Sequence, residues 1–124
     1  MPAHWPHLRL RVYCFQKLVF PLWKWILLKQ SGAEFLYTFA LVFVILNVAT
    51  SEVTEGNDYY GAAIAFVVFA GALTVGEISG GSFNPAVTGA LFVSGVVEAA
   101  DLWIHLLPQF VAGILAVQAF NASQ

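Results

Sequence analysis

Charge is scarce in this sequence: Asp, Glu, Lys and Arg make up 10% of 124 residues, while 60% are hydrophobic. An ordinary soluble domain carries about 25% charged residues, so the composition excludes one and places the chain in a bilayer. The few charges are also segregated. No base follows Lys29 and no acid precedes Glu34, so there is no mixed or basic surface of the kind that binds nucleic acid. Cysteine is nearly absent: Cys14 alone excludes an intrachain disulfide and any multi-cysteine metal site. His4, His7 and His105 stand isolated, and a lone histidine cannot fill a metal's coordination sphere. With no carboxylate pair and no nucleophile next to a base, neither enzymatic activity nor a cofactor is expected.

What is present is a series of apolar runs, with a mean hydropathy of +0.79. Residues 1–32 mix Trp5, Tyr13, Phe15, Trp23 and Trp25 with all five cations, a combination suited to the headgroup zone, and read as an interfacial segment. Lys17, Lys24 and Pro21 argue against a crossing there, and no small-residue cleavage site marks a removable leader. Residues 33–120 form one unit with room for three crossings of roughly 20 residues. The first crossing is predicted over 33–51, a polar loop (EVTEGND) over 52–58, and a second helix over 60–78. Gly61/Ala65 and Ala72/Gly76 in that second helix have the spacing for close backbone approach, so tight packing is expected there. The third crossing is predicted over 102–120, with a small-residue face at Ala112 and Ala116 and with Pro108 freeing a carbonyl; a polar tail follows over 121–124.

Between the second and third crossings lies SGGSFNPAVTGALFVS, residues 79–94, in which only about ten apolar residues follow a glycine-rich start, too few to cross. Asn is among the best N-caps, and Pro is favoured at the first helical position because its missing N–H has no partner to lose. Asn84-Pro85 therefore begins a short helix. Non-helical backbone inside hydrocarbon survives only where protein buries it or water reaches it, which makes residues 79–83 the wall of a cavity. The helix start carries roughly half a positive charge, repelling cations and orienting the oxygen of a passing water. The Asn84 amide can donate to that oxygen, while Gly80 and Gly81 allow carbonyls to face the lumen.

GEISGGSFNPAVTGALFVSG, preceded by AEFLYTFALVFVIL, closely resembles the major intrinsic proteins, the aquaporins and aquaglyceroporins. The resemblance implies an all-α membrane fold of six helices and two re-entrant half-helices, built from two inverted repeats. This chain supplies one such half-repeat: three transmembrane helices and one re-entrant half-helix. It further implies that Asn84, Pro85 and Ala86 are the signature triplet, that Phe83 forms the apolar wall beside it, and that Glu34 is the buried carboxylate pinning the re-entrant loop. Glu77 stands at a pore-mouth position that is histidine in many members.

The assignment to one repeat rests on opposed features. NPAVT and the basic start resemble the first repeat. LVFVILNVATSEVTEGNDYYGAAIAF and the end after a Pro108-bearing helix resemble the second, which is the preferred assignment. In the second repeat Val87 occupies the position of a common filter arginine and Ala72 is the other filter position, giving a wider, less water-selective pore; in the first repeat the filter residue is Ile64. The expected function is passive conduction of water or small neutral solutes such as glycerol. The expected partners are the lipid bilayer, a second half-repeat and, by family resemblance, a homotetramer. A non-conducting structural subunit, or a truncated half-channel, is the alternative. A secondary transporter would normally need intramembrane ion-coupling acids, which the sequence lacks.

Overall fold

A computed structural model describes the backbone of residues 6–124 and the side chains of residues 22 and 24–124. Inside hydrocarbon each backbone amide must find its partner within its own segment, which leaves the helix as the available element for runs such as these. Four helices form: α1 (Pro6–Ala49), α2 (Tyr60–Ser79), α3 (Pro85–Val93) and α4 (Leu102–Ser123), with 3-10 turns at Glu52–Thr54 and Ala99–Asp101. The described residues contain no strand.

The stretches Lys24–Ala49, Tyr60–Ser79 and Ala99–Ser123 are each long and apolar enough to cross a membrane, so the chain is a multi-pass membrane protein. At about 1.5 Å per residue, the nine residues of α3 reach only about 14 Å, half of a roughly 30 Å hydrocarbon core. This matches the expected three crossings plus one half-helix.

One boundary differs from the sequence expectation. The first crossing was predicted to begin at residue 33, whereas α1 runs unbroken through Pro21, Lys24 and Lys29. A single proline removes only one ladder bond, and lysine stems near a span end let the ammonium reach the headgroups, so neither residue forces a helix end. The interfacial reading of Arg9, Arg11, Lys17, Trp5, Tyr13, Phe15 and Trp23, and the readings of Cys14, His4 and His7, concern side chains outside the described residues.

α1 is the central element, packing on both α4 and α2, while α3 rests on α4. Two contacts fix α1 and α4 as parallel neighbours in one register: Ser31 Oγ donates to Ile104 O (3.3 Å) at one end, and Ser51 Oγ to Gln124 Oε1 (3.1 Å) at the other. Ala112 and Ala116 on α4 are fully buried. The expected tight packing on α2 is found elsewhere. A Cβ added to Gly61 or Gly76 would meet nothing within 4 Å, whereas at Gly71 it would lie 2.7 Å from Tyr37 Cδ1 and closer still to the Phe83 ring. Four-residue spacing identifies a smooth face; which glycine sits under a neighbour depends on where α1 and the loop after α2 lie.

Pro108 lies inside α4 and has no N–H for the carbonyl of Ile104, one turn earlier. Ser31 supplies the missing donor. Ser31→Ala is therefore expected to lower stability by about 1 kcal/mol, the net worth of one such bond. In a Pro108→Ala background, where the restored amide bonds Ile104 O, the same substitution should cost almost nothing. Thermal unfolding of the four proteins in detergent checks this cycle, and equal losses in both backgrounds would refute it.

Candidate functional site

α2 ends at Gly80, which adopts the left-handed conformation (φ 81°) and closes the helix by donating from its N–H to Gly76 O at 2.8 Å. Gly81 follows at φ 66°, its N–H bonded to Ser79 Oγ (3.2 Å). Phe83 is also left-handed, at φ 49°, a region costly for a residue with a Cβ. Something must hold it there, and the holder is Glu34.

Glu34 is completely buried on α1. Its Oε2 accepts from the Phe83 N–H (2.8 Å), the Ser82 hydroxyl (2.9 Å) and Gln109 Nε2 (2.8 Å), and its Oε1 accepts from the Ser82 N–H (3.2 Å). His105 Nδ1 approaches Oε1 at 3.6 Å, an ion-pair distance too long for a hydrogen bond. Gln109 Nε2 also reaches Ser82 Oγ (2.8 Å) and Thr88 Oγ1 (2.9 Å), so one amide joins α1, the loop and α3. An ionised carboxylate in so dry a place is tolerable only with such a set of donors.

With the loop so held, Asn84 takes an extended conformation (φ −155°, ψ 128°) and caps α3: its Oδ1 accepts from Ala86 N at 2.8 Å. Its carbonyl accepts the first helical bond, from Thr88 N at 2.9 Å. Pro85 occupies the first helical position, as its missing N–H favours. Because the side-chain oxygen is engaged by the cap, the two Nδ2 hydrogens remain for a partner beyond the helix. Asn84 is exposed and borders a groove of about 450 Å³ between α1 and α4, lined mainly by apolar groups with Thr38 and Gln109 among the polar ones.

Pro85 is half-buried and Ala86 and Val87 are exposed along the first turn of α3. Phe83 borders the same groove beside Asn84 and Pro85, while most of its side chain is buried: it is 2% exposed, seated over Gly71 and against Tyr37 with ring centroids 5.1 Å apart. A left-handed backbone at position 83 turns the ring back into the α1–α2 interface. Ala72 is exposed and Ile64 half-buried on α2, and Glu77 is exposed near its end. Since α2 packs on α1 and α3 packs on α4, Val87 is not gathered with Ala72 or Ile64 by any extensive α2–α3 contact.

The sequence reading does not find Ser82, Thr88 or Gln109, and it treats His105 only as an isolated histidine that cannot hold a metal. A usable signal was present. Thr88 and Gln109 are polar residues inside apolar helices, where an unpartnered polar group costs several kcal/mol, so each implies a partner on a neighbouring helix. The described residues contain no cluster of three or more His, Cys, Asp or Glu able to hold a metal.

The family model for major intrinsic proteins matches residues 22–123. Glycerol uptake facilitator protein-like 6 of Lactiplantibacillus plantarum is 40% identical over 96 residues, which cover 77% of this chain and 44% of that protein. Aquaporin Z of Brucella melitensis is 42% identical over 103 residues, covering 77% and 42%, and nodulin-26 of Glycine max is 37% identical over 89 residues, covering 71% and 32%. No solved structure matches the chain. The chain thus spans less than half the length of these relatives, yet the match takes in all three crossings and the capped half-helix between them. By that match across most of its length, this chain belongs to the major intrinsic protein family.

Proposed function

We propose that this chain is one half of a passive channel for water or small neutral solutes, with the tip of α3 lining the pore. The observation that carries the reading is the exposed Asn84 amide, its oxygen committed to the cap and its hydrogens without a partner among the described residues, at the edge of an open groove. The helix start adds partial positive charge. Together they offer donors to the oxygen of a neutral molecule and repel cations. In this reading Asn84, Pro85, Ala86 and Val87 face the lumen, Gly80 and Gly81 contribute backbone acceptors, and Glu77 stands at the mouth.

In the second-repeat assignment, Val87 and Ala72 at the filter positions supply neither charge nor donor, and a wider, less water-selective pore follows; in the first-repeat assignment the filter residue is Ile64. The names of the relatives, one a glycerol uptake facilitator-like protein and another an aquaporin, accord with this solute class. A lumen needs a second wall. We assign that role to a second half-repeat presented to the groove, within a homo-oligomer that by family resemblance is a tetramer. The alternative reading is a non-conducting structural subunit or a truncated fragment of a full-length channel.

Osmotic shrinkage of proteoliposomes separates the two. The channel reading expects shrinkage several-fold faster than in protein-free vesicles, and a fall of about tenfold in Asn84→Ala, which loses both the cap and the donor, together worth at least about 1 kcal/mol. Val87→Arg should reduce glycerol flux more than water flux, because an arginine narrows the constriction. Shrinkage no faster than bare lipid, with insertion verified, would establish the non-conducting subunit instead.

A further inference from the structure

His105 is 5% exposed, and its Nδ1 has no hydrogen-bond partner among the described residues. It faces Glu34 Oε1 at 3.6 Å. The two oxygens of that carboxylate are used unequally: Oε2 takes three donors, while Oε1 takes only the Ser82 amide, at the longest of the four distances. A buried anion with one under-used oxygen, beside an imidazole nitrogen that is itself unused, is an incomplete pair. A small approach completes it. A proton on Nδ1 converts the gap into a charge-assisted bond, and a second proton on Nε2 supplies the countercharge that a buried carboxylate otherwise lacks.

We propose that His105 is a positioning residue of the re-entrant loop: acting through Glu34, it orients the carboxylate that receives the Ser82 and Phe83 amides, and it does so most strongly when the imidazole is doubly protonated. A singly protonated imidazole can supply the Nδ1 donor but not the countercharge, so the grip on the loop weakens if the second proton is lost. Among the described residues no other titratable group is placed to explain such a change. On α1, Glu34 is the facing group and Lys24 and Lys29 are exposed; residues 78–97, which include the loop and α3, carry no ionisable side chain; Asp101 lies one turn earlier at the start of α4; Glu77 is exposed on α2, which has no extensive contact with α4. Gln109 and Thr88 share the cluster but cannot change charge.

The test follows the loop amides directly and does not require a conducting pore. Amide hydrogen-exchange protection of Ser82 and Phe83 is measured in lipid nanodiscs from about pH 5.5 to about pH 8, across histidine's range, for the natural chain, His105→Phe and His105→Asn. The natural chain should lose protection as pH rises. His105→Phe, which keeps the ring volume and lacks any donor, should show about tenfold lower protection at the acidic end, with no pH dependence. His105→Asn keeps a donor near the Nδ1 position but cannot titrate, so it should recover most of the protection and stay flat. A purely space-filling His105 would give Phe, Asn and His the same flat protection, and that result overturns the proposal. Should His105→Phe fail to insert, the contrast between a sloping natural profile and a flat Asn profile still decides; two parallel profiles refute the proposal. Loss of conduction with intact protection profiles would count against the channel reading alone.

Discussion

Glu34→Leu is expected to release the re-entrant loop and abolish conduction in any pore this chain helps to form. The substitution removes the acceptor for two backbone amides, a hydroxyl and the Gln109 amide, all of them buried. Each donor left unsatisfied costs about 1–3 kcal/mol, so the sum far exceeds what holds a five-residue loop in place. The loop would leave its left-handed backbone at Phe83, and with it the extended Asn84 that caps α3. Breaking a buried charged cluster by deleting one partner typically costs about 3–5 kcal/mol overall. The expected result is a large fall in thermal stability in detergent together with solute flux at the level of bare lipid. Glu34→Gln should be milder, since its amide oxygen can still serve the three donors at the Oε2 position. Its NH₂ group then meets the Ser82 amide, donor against donor, so recovery should be partial. A Glu34→Leu protein with natural stability and natural Phe83 amide protection would mean that the loop is held by something other than this carboxylate.

Gly71→Val is expected to be nearly as damaging, for a steric reason and not a polar one. The new Cβ would collide with Tyr37 and with the Phe83 ring, neither of which can withdraw without giving up its own burial. Overpacking of this kind costs about 1–3 kcal/mol even when the neighbours can shift. Here the neighbour is the ring that anchors the left-handed turn, so displacing it also disturbs Asn84. Gly71→Ala should show the same effect at smaller size. Gly76→Ala is the contrast: open space surrounds it, and alanine is favoured over glycine within a helix by about 1 kcal/mol, so stability should rise slightly or stay level. Combining Gly71→Ala with Phe83→Leu should recover part of the loss of the first, because the smaller side chain vacates the collision. Thermal unfolding of the set checks the order; equal effects at Gly71 and Gly76 would contradict the close approach.

Both predictions concern residues whose partners are distant in sequence, and that marks how far the sequence could be read. The half-helix was legible because its signals are local: glycines that permit the turn, Asn84 that caps, Pro85 that fits the first helical position, and an apolar run too short to cross. The three crossings were legible by length and hydropathy. The loop-pinning role of Glu34 is legible only through the resemblance to the major intrinsic proteins, since an acid in an apolar run names no partner by itself. The roles of Gln109 and Thr88 are not legible, although both are polar residues among apolar neighbours, because polarity alone names no partner. The start of α1 is not legible, because lysines and a proline mimic a boundary although a long aliphatic stem and the loss of one ladder bond are both compatible with a continuing helix.

What the sequence by itself determined is therefore the set of elements and the chemistry of the α3 tip, both consequences of solvation and of backbone geometry within a few residues. Only the tertiary structure decided that the Phe83 ring packs over Gly71 and against Tyr37, that Gly71 and not Gly61 or Gly76 bears the close contact, and that Glu34, His105 and Gln109 meet around one loop. Those outcomes depend on the parallel register of α1 against α4 and on a left-handed turn at residue 83. Both bring together residues up to 75 positions apart, through packing that no local preference encodes.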